Sequence, residues 1–234
     1  RQQAAERMTG VFGKARSMEV KALLLPESTK DVSLALKICN EYKQPVVPQG
    51  GLSNVVYSAI ANSDEIAISL EKMNAIGQPD KFNQFVEVEG GVILQHLHLA
   101  VKENGFIFPL DLGAKGSCMI GGNIATNAGG LQALRYGVMR NLVLGLEVVL
   151  PDGTILDNLN PVVKNNTGYD LKHLFIGSEG TLGIITRAIL KLSPAPVYFA
   201  TSFIAVEKFN DVLQLLVKAK ISFGDKLISF EILW

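Results

Sequence analysis

Fifteen consecutive residues, Gly116 to Gly130, contain five glycines, and they limit what this chain can fold into more than any other feature. Fourteen of its 22 glycines lie between Gly105 and Gly183. A stretch with so little side-chain bulk cannot fill a core by itself. It can lie flat against a large planar ligand, because glycine lets backbone come close where a Cβ would block it. The wider run, Pro109-Leu110-Asp111-Leu112-Gly113-Ala114-Lys115-Gly116-Ser117-Cys118-Met119-Ile120-Gly121-Gly122-Asn123-Ile124-Ala125-Thr126-Asn127-Ala128-Gly129-Gly130, mixes small residues with the donors Ser117, Asn123, Thr126 and Asn127. Ile120, Ile124 and Ala125 argue against a solvated loop, which has no use for regularly placed apolar residues.

Two further segments share this character. Pro48-Gln49-Gly50-Gly51-Leu52-Ser53-Asn54 sets two glycines directly after a short strand, where successive amides can converge on an anion. Ser53 adds a hydroxyl and Asn54 tolerates positive φ. Alone, this segment reads better as a plain tight turn. Gly177-Ser178-Glu179-Gly180-Thr181-Leu182-Gly183-Ile184-Ile185 again leads glycines into a strand, without the Gly-x-Gly-x-x-Gly of a Rossmann turn. Three such segments predict an extended, phosphate-bearing ligand of dinucleotide size held mainly by backbone. The residues themselves leave FAD, NADP and a nucleotide sugar open.

Composition excludes other classes. With 22 basic and 22 acidic side chains the net charge is zero, which argues against nucleic-acid binding through phosphate contacts and against a polybasic membrane surface. Apolar residues make up 48%, enough for a real core. The longest apolar stretch, Leu142 to Leu150, is broken by Glu147 and too short to span a bilayer. Cys39 and Cys118 form no metal-spaced pair and no disulfide framework, so a reducing compartment is expected. There is no zincin, nucleophile-elbow or Walker motif. His96 and His98 point to different helix faces, His173 reads as an ordinary surface histidine, and Cys118 reads as a small buried residue. Catalytic residues are left unassigned.

The elements alternate at first, as in an open α/β sheet. Ala22 to Leu25 is a strand. Ser28 opens a helix whose buried stripe is read as Val32, Leu34, Ala35, Ile38 and Cys39. Strands follow at Pro45 to Pro48, Ile66 to Leu70 and Phe85 to Glu89, then a helix from Leu94 to Asn104 capped by Gly105. Leu142 to Leu150 and Thr154 to Leu156 form a hairpin around Pro151-Asp152-Gly153, and Thr181 to Leu192 is a further strand. Tyr169 to His173 reads as helical. Three units are expected: an irregular basic lead-in over residues 1–17, a ligand-binding domain over 18–196, and from 197 the start of a second domain, cut off at Trp234. In that last piece Phe199 to Val206 and Leu227 to Leu233 read as strands, with a helix from Glu207 to Ala219 buried through Phe209, Val212, Leu213 and Leu216.

Pro48-Gln49-Gly50-Gly51, the run from Pro109 to Gly130, Asn166-Thr167-Gly168-Tyr169-Asp170-Leu171 and Gly177 to Thr186 resemble the FAD-binding (PCMH-type) domain of the vanillyl-alcohol oxidase superfamily. Within it, Leu110-Asp111-Leu112-Gly113-Ala114-Lys115-Gly116-Ser117 and Gly177-Ser178-Glu179-Gly180-Thr181-Leu182-Gly183 are most similar to the branch of mitochondrial D-2-hydroxyglutarate dehydrogenases. The resemblance covers roughly residues 20 to 234. It implies an α+β fold: a two-subdomain FAD-binding domain, followed by the truncated start of an α+β cap domain. It places the pyrophosphate at Gln49 to Asn54, with Pro48 beside it. It lines the rest of the cofactor with Pro109, Leu110 and Asp111, then Gly116, Ser117, Ile120, Gly121, Gly122, Asn123, Ala125, Thr126, Asn127, Gly129 and Gly130, then Gly180, Gly183, Ile184 and Ile185.

The same resemblance implies hydride transfer from C2 of a D-2-hydroxy acid, D-2-hydroxyglutarate first and D-lactate or glycolate second, to FAD. A non-catalytic flavin-binding fragment is the other alternative. It further implies an acceptor such as an electron-transferring flavoprotein, a mitochondrial matrix location, and a divalent metal such as zinc together with the proton-abstracting residues in the cap domain. No histidine stands where covalent relatives tether the flavin, so FAD is expected to be non-covalent. The family's first loop usually continues Asn-Thr-Gly, where this chain has Leu52-Ser53-Asn54, and Met119 stands at a commonly polar position. A branched side chain at Gly51 is expected to block the pyrophosphate.

Overall fold

A computed structural model describes residues 19–233, together with the antiparallel pairing of two short strands, β1 (Met8–Thr9) and β2 (Arg16–Ser17). Apart from those strands, the expected irregular lead-in lies outside the described residues.

The first sheet is parallel. β3 (Ala22–Leu24) leads through α1 (Thr29–Glu41) to β4 (Val46–Gln49), and β5 (Ile66–Ser69) inserts between the two strands to give the order β3-β5-β4. Ala22 and Val46 both stand opposite Ile66. Ser28 caps α1: its hydroxyl oxygen accepts from the Asp31 amide at 3.2 Å and satisfies one of the orphan donors of the first turn. The helix buries Val32, Leu36 and Cys39, spaced i, i+4, i+7. The expected stripe was too wide. Leu34 and Ile38 are 59% and 46% exposed, because the helix meets the sheet along one narrow seam and both side chains turn away from it.

The second sheet is antiparallel. It is built from β6 (Phe85–Glu89), β8 (Val143–Val149), β9 (Ile155–Asn158) and β10 (Ile184–Lys191) in the order β6-β10-β8-β9. The β8–β9 hairpin turns at Gly153, whose φ of +86° suits glycine. Between these strands run α2 (Leu94–Lys102), the short β7 (Phe106–Ile107), α3 (Ile120–Ala125), α4 (Ala133–Tyr136), α5 (Met139–Leu142) and α6 (Lys172–Phe175). β11 (Ser193–Pro194) pairs with β7. The largest core covers this sheet with α2, α3 and α5, through residues such as Val86, Leu94, Leu97, Ile120, Ile124, Met139 and Leu146. A second cluster joins the two sheets: Val32 and Leu36 of α1 meet Ile68, Leu70 and Met73 on one side and Val149 and Ile184 on the other.

Past Pro196 the expectations are met in part. α7 (Phe209–Phe223) forms, but only Val212 is buried on it; Phe209 and Leu213 are exposed and Leu216 is half-buried. Phe199 to Val206 and Leu227 to Leu233 form no strand, since neither run finds a partner to pair with among the described residues and an extended segment needs a ladder to persist.

Candidate functional site

Three glycine-bearing segments, distant in sequence, meet where the two sheets adjoin. A Cβ on Gly51 would overlap the carbonyl of Ser117, so the loop after β4 and the turn before α3 touch backbone to backbone. Gly50 faces the first turn of α3, where an added Cβ would lie 3.6 Å from the Gly122 Cα. Gly180, at φ +79°, abuts the ring of Pro48. Gly121 packs on Gly90 and Ile185, and its amide donates to the Gly90 carbonyl at 2.7 Å. Gly51 and Gly180 leave no room for a Cβ and Gly121 leaves little, whereas Gly50 would accept one at ordinary contact distance; together these approaches shape one cleft of about 570 Å³, within the range of cofactor sites.

Most of the residues singled out from sequence line it. Pro48, Gln49, Gly50, Gly51, Leu52, Ser53 and Asn54 form one wall; Gly121, Gly122, Asn123, Ala125, Thr126 and Gly129 form a second; Gly180, Gly183, Ile184 and Ile185 form a third. Others lie outside, for visible reasons. Leu110 and Ile120 are fully buried core residues, and Pro109 is buried beside them. Asp111 pairs with Lys115 at 3.0 Å. Gly130 is glycine because a Cβ there would overlap the Asp111 backbone. The Asn127 side chain accepts from the Arg140 amide at 3.0 Å. Gly116 sits against Gln95, and the Ser117 hydroxyl donates to the Ala114 carbonyl at 3.3 Å.

Sequence reasoning missed Val55, Val56, Ser58, Ala59, Leu70 and Gly90 among the lining residues, and it quoted Leu112, Gly113, Ala114, Cys118, Met119, Ala128 and Glu179 within its glycine-rich segments without naming them as cofactor contacts. Gly90 offers no local clue. Its need for glycine comes from the Ile185 carbonyl and the Leu70 side chain, which strand pairing brings there.

The wall at Gly50 to Ser53 is rich in unused donors. The amides of Gly50, Gly51, Leu52 and Ser53 have no acceptor among the described residues. Gln49, buried at the base of the loop, donates from Nε2 to the Ala59 carbonyl at 2.9 Å and fixes the return of the loop. Leu52 sits at φ +54°, a left-handed conformation that costs a leucine about 1 kcal/mol and that asparagine takes more readily. Its side chain packs on Val20, Ala61 and Ala67, which offsets that strain and anchors the loop from behind.

Cys118 also lines the cleft. Burial pushes its thiol pKa up, so it is a poor nucleophile, and Asn123 Nδ2 stands 3.6 Å from its sulfur. The three histidines lie elsewhere. His96 is exposed, and His173 accepts at Nδ1 from the Arg140 guanidinium, 3.0 Å away. His98 is half-buried, and its pKa is lowered first by burial, against the opposing pull of hydrogen bonds to the Leu110 and Phe108 backbone. Among the described residues no cluster of His, Cys, Asp and Glu could hold a metal, and no helix is long and apolar enough to cross a membrane.

A glycine-framed cleft with free amides on one wall, at the junction of a parallel and an antiparallel sheet, defines a dinucleotide-binding α+β domain. Residues 20–158 match the family described as FAD binding domain, and the chain belongs to that family. It is 47% identical over 211 residues to the mitochondrial D-2-hydroxyglutarate dehydrogenase of Bos taurus, covering 90% of this chain and 39% of that protein. It is 44% identical over 209 residues to the D-2-hydroxyglutarate–pyruvate transhydrogenase of Saccharomyces cerevisiae, covering 89% of this chain and 42% of that protein. A solved structure of an alkyldihydroxyacetonephosphate synthase superposes with a TM-score of 0.68 at 27% identity, over 75% of this chain and 32% of that one. The chain thus spans about two fifths of the length of the curated relatives it matches.

The cleft fits FAD on its own terms. Orphan amides at Gly50 to Ser53 suit a diphosphate. The Cβ position of Gly122 has nothing within 4 Å, so α3 presents bare backbone to a flat ligand. Val55, Val56, Leu70, Ile184 and Ile185 supply apolar surface for rings.

Proposed function

We propose that this chain is the cofactor-binding part of an FAD-dependent D-2-hydroxy acid dehydrogenase, with D-2-hydroxyglutarate as the first substrate and 2-oxoglutarate as its product. The observation that carries the reading is the convergence of the three glycine segments on one cleft with free amides at Gly50 to Ser53. The names of the two relatives supply the substrate. The chemistry FAD supplies when bound is two-electron hydride acceptance, here from C2 of the hydroxy acid.

In this reading residues 18–196 hold the cofactor. The loop amides bind the diphosphate, Leu52 and Gln49 keep that loop in shape, and the glycine faces of α3 and the Gly180 turn carry the flat portions. Ile184 and Ile185 exclude water from the β10 side. FAD is held without a covalent bond: the described lining has no histidine or tyrosine, and its one thiol, Cys118, is kept protonated by burial. The base that takes the hydroxyl proton and a divalent metal such as zinc are assigned to a cap domain that begins near residue 197.

Electrons pass on to an electron-transferring flavoprotein, or to a 2-oxo acid such as the pyruvate in the name of the yeast relative. A mitochondrial location follows the name of the bovine relative.

The visible spectrum of the purified chain tests the reading. Flavin bands that survive gel filtration and leave with acid denaturation are expected. A folded, colourless protein that takes up no added FAD would overturn it.

A further inference from the structure

We propose that Arg140, which lies outside the cleft lining, is a positioning residue for cofactor binding: it ties the turn from Gly177 to Gly180 to the end of α3, and it does so through a neutral His173. The inference rests on the FAD reading above.

The turn needs a hold. Gly177, Glu179 and Gly180 have φ values of +87°, +52° and +79°, a run of left-handed residues that is strained at the glutamate. Glu179 and Gly180 lead into the wall at Gly183, Ile184 and Ile185, so a shift of the turn moves that wall. Two of the turn's amides reach back to α3: Gly177 donates to the Ile124 carbonyl at 3.2 Å and Glu179 to the Ala125 carbonyl at 2.8 Å. α3 by itself is a weak support. It has six residues, two of them glycine, and no side chain caps its start.

Arg140 on α5 braces the turn from both sides. Its amide donates to the side-chain oxygen of Asn127, just past α3, at 3.0 Å. Its guanidinium donates from Nη1 to the His173 carbonyl at 2.9 Å and from Nη2 to the Ile176 carbonyl, next to the turn, at 2.5 Å. Both are carbonyls at the C-terminus of α6, of the kind a helix leaves without partners. Arg140 is thus spent on neutral acceptors, and a planar fork fixes two of them at once.

A third contact makes the tie sensitive to charge. Nη1 also stands 3.0 Å from His173 Nδ1. An arginine only donates, so Nδ1 carries a lone pair and the ring proton sits on Nε2, 3.4 Å from Oδ2 of Asp170. The charged groups in contact with the ring are therefore Arg140 from α5 and Asp170 from its own segment, and Asp170 is shared with Lys172. A proton on Nδ1 turns the acceptor into a donor facing a guanidinium, and the tie opens.

FAD titration of the folded apoprotein, followed by flavin fluorescence well below its melting temperature, tests the tie. R140M removes the donors and should weaken FAD binding about tenfold, whereas R140K reaches one carbonyl only and should fall between it and the parent. Glu147→Leu is the control: it melts lower from a defect behind the cleft and should keep the parental affinity. The pH profile is the second readout. From about pH 8 to about pH 5 the parent should lose affinity as His173 takes up its proton. H173N offers Arg140 a side-chain oxygen in place of Nδ1 and takes up no proton, so it should lose less. His98 titrates in parent and variant alike and cancels in that comparison. Parental affinity in R140M, with only its melting temperature lowered, would make Arg140 a structural support and overturn the proposal. An equal acid loss in parent and H173N would overturn it as well, and decides the matter should R140M fold poorly. A parent chain that binds no FAD would defeat the cofactor reading itself, a result distinct from equal binding by parent and variant.

Discussion

Gly51 and Gly122 both line the cleft, and they are glycine for opposite reasons. A Cβ at Gly51 would run into the Ser117 carbonyl, while one at Gly122 would stand in open space. Gly51→Ala should therefore destabilise the fold by about 3 kcal/mol or more, since backbone cannot give way cheaply. Gly122→Leu should leave apoprotein stability within about 0.5 kcal/mol of the parent, yet abolish FAD uptake by filling the cleft. Urea denaturation and flavin absorbance together check both outcomes. This corrects the expectation that a side chain at Gly51 would act mainly by blocking the diphosphate. The sequence shows where Cβ atoms are withheld; it does not show which atom stands opposite, because Ser117 reaches Gly51 only through the tertiary fold. Leu52 makes the same point. Its departure from the usual asparagine was legible, but its positive φ and its anchorage on Val20, Ala61 and Ala67 were not.

Elements hold the cleft through a few polar ties. Glu147 on β8 is 6% exposed and accepts from the hydroxyls of Thr29 (2.6 Å) on α1 and Thr186 (2.8 Å) on β10, with Arg187 Nη1 3.6 Å away. Arg187 in turn pairs with Glu87 on β6. Glu147→Leu would strand the Thr29 hydroxyl, leave Thr186 only its longer bond to the carbonyl of residue 147 (3.3 Å), and loosen α1 from the antiparallel sheet, at a cost of about 3 kcal/mol measured by urea denaturation.

His98 on α2 gives a pH dependence with a definite sign. Its folded pKa is depressed, chiefly by burial, so the native state favours neutral imidazole. In the unfolded chain it protonates near pH 6.5. Its contribution is complete above that value and is lost as pH falls from there toward the lower folded pKa. Stability should decline from about pH 7 toward pH 5, and His98→Gln should flatten that slope. An unaltered slope in the variant would assign the decline to other groups.

The strands and long helices from residue 22 to 192 were legible because alternation, a serine cap and turn residues mark them locally. The exposed Leu34 and Ile38 were not, since the width of a helix seam is set by what packs on it. Phe199 to Val206 failed as a strand for a related reason: apolar alternation supplies a face but no partner.

At the scale of the whole molecule, the cleft is a joint. Its walls come from the loop after β4 in the parallel sheet and from α3 and the entrance to β10 on the antiparallel one, joined beneath by Leu70 and Ile184. Sequence could single out the three segments that line the cleft because each carries its own glycines, but their meeting depends on pairings such as Ile185 with Val148 and Gln49 with Ser69. A ligand bound there must therefore stabilise both sheets together. FAD at a hundred times its Kd should add about 2.7 kcal/mol. In a chain of this size that raises Tm by roughly 5–10 °C. The variants divide cleanly on this measure. Gly122→Leu should melt with the parent when apo and gain nothing from FAD. Glu147→Leu should melt lower but keep the FAD-induced rise, because its defect lies behind the cleft and its lining is intact. A rise retained in Gly122→Leu would place the ligand elsewhere. A rise lost in Glu147→Leu would show that the joint, and not only its lining, is what FAD recognises.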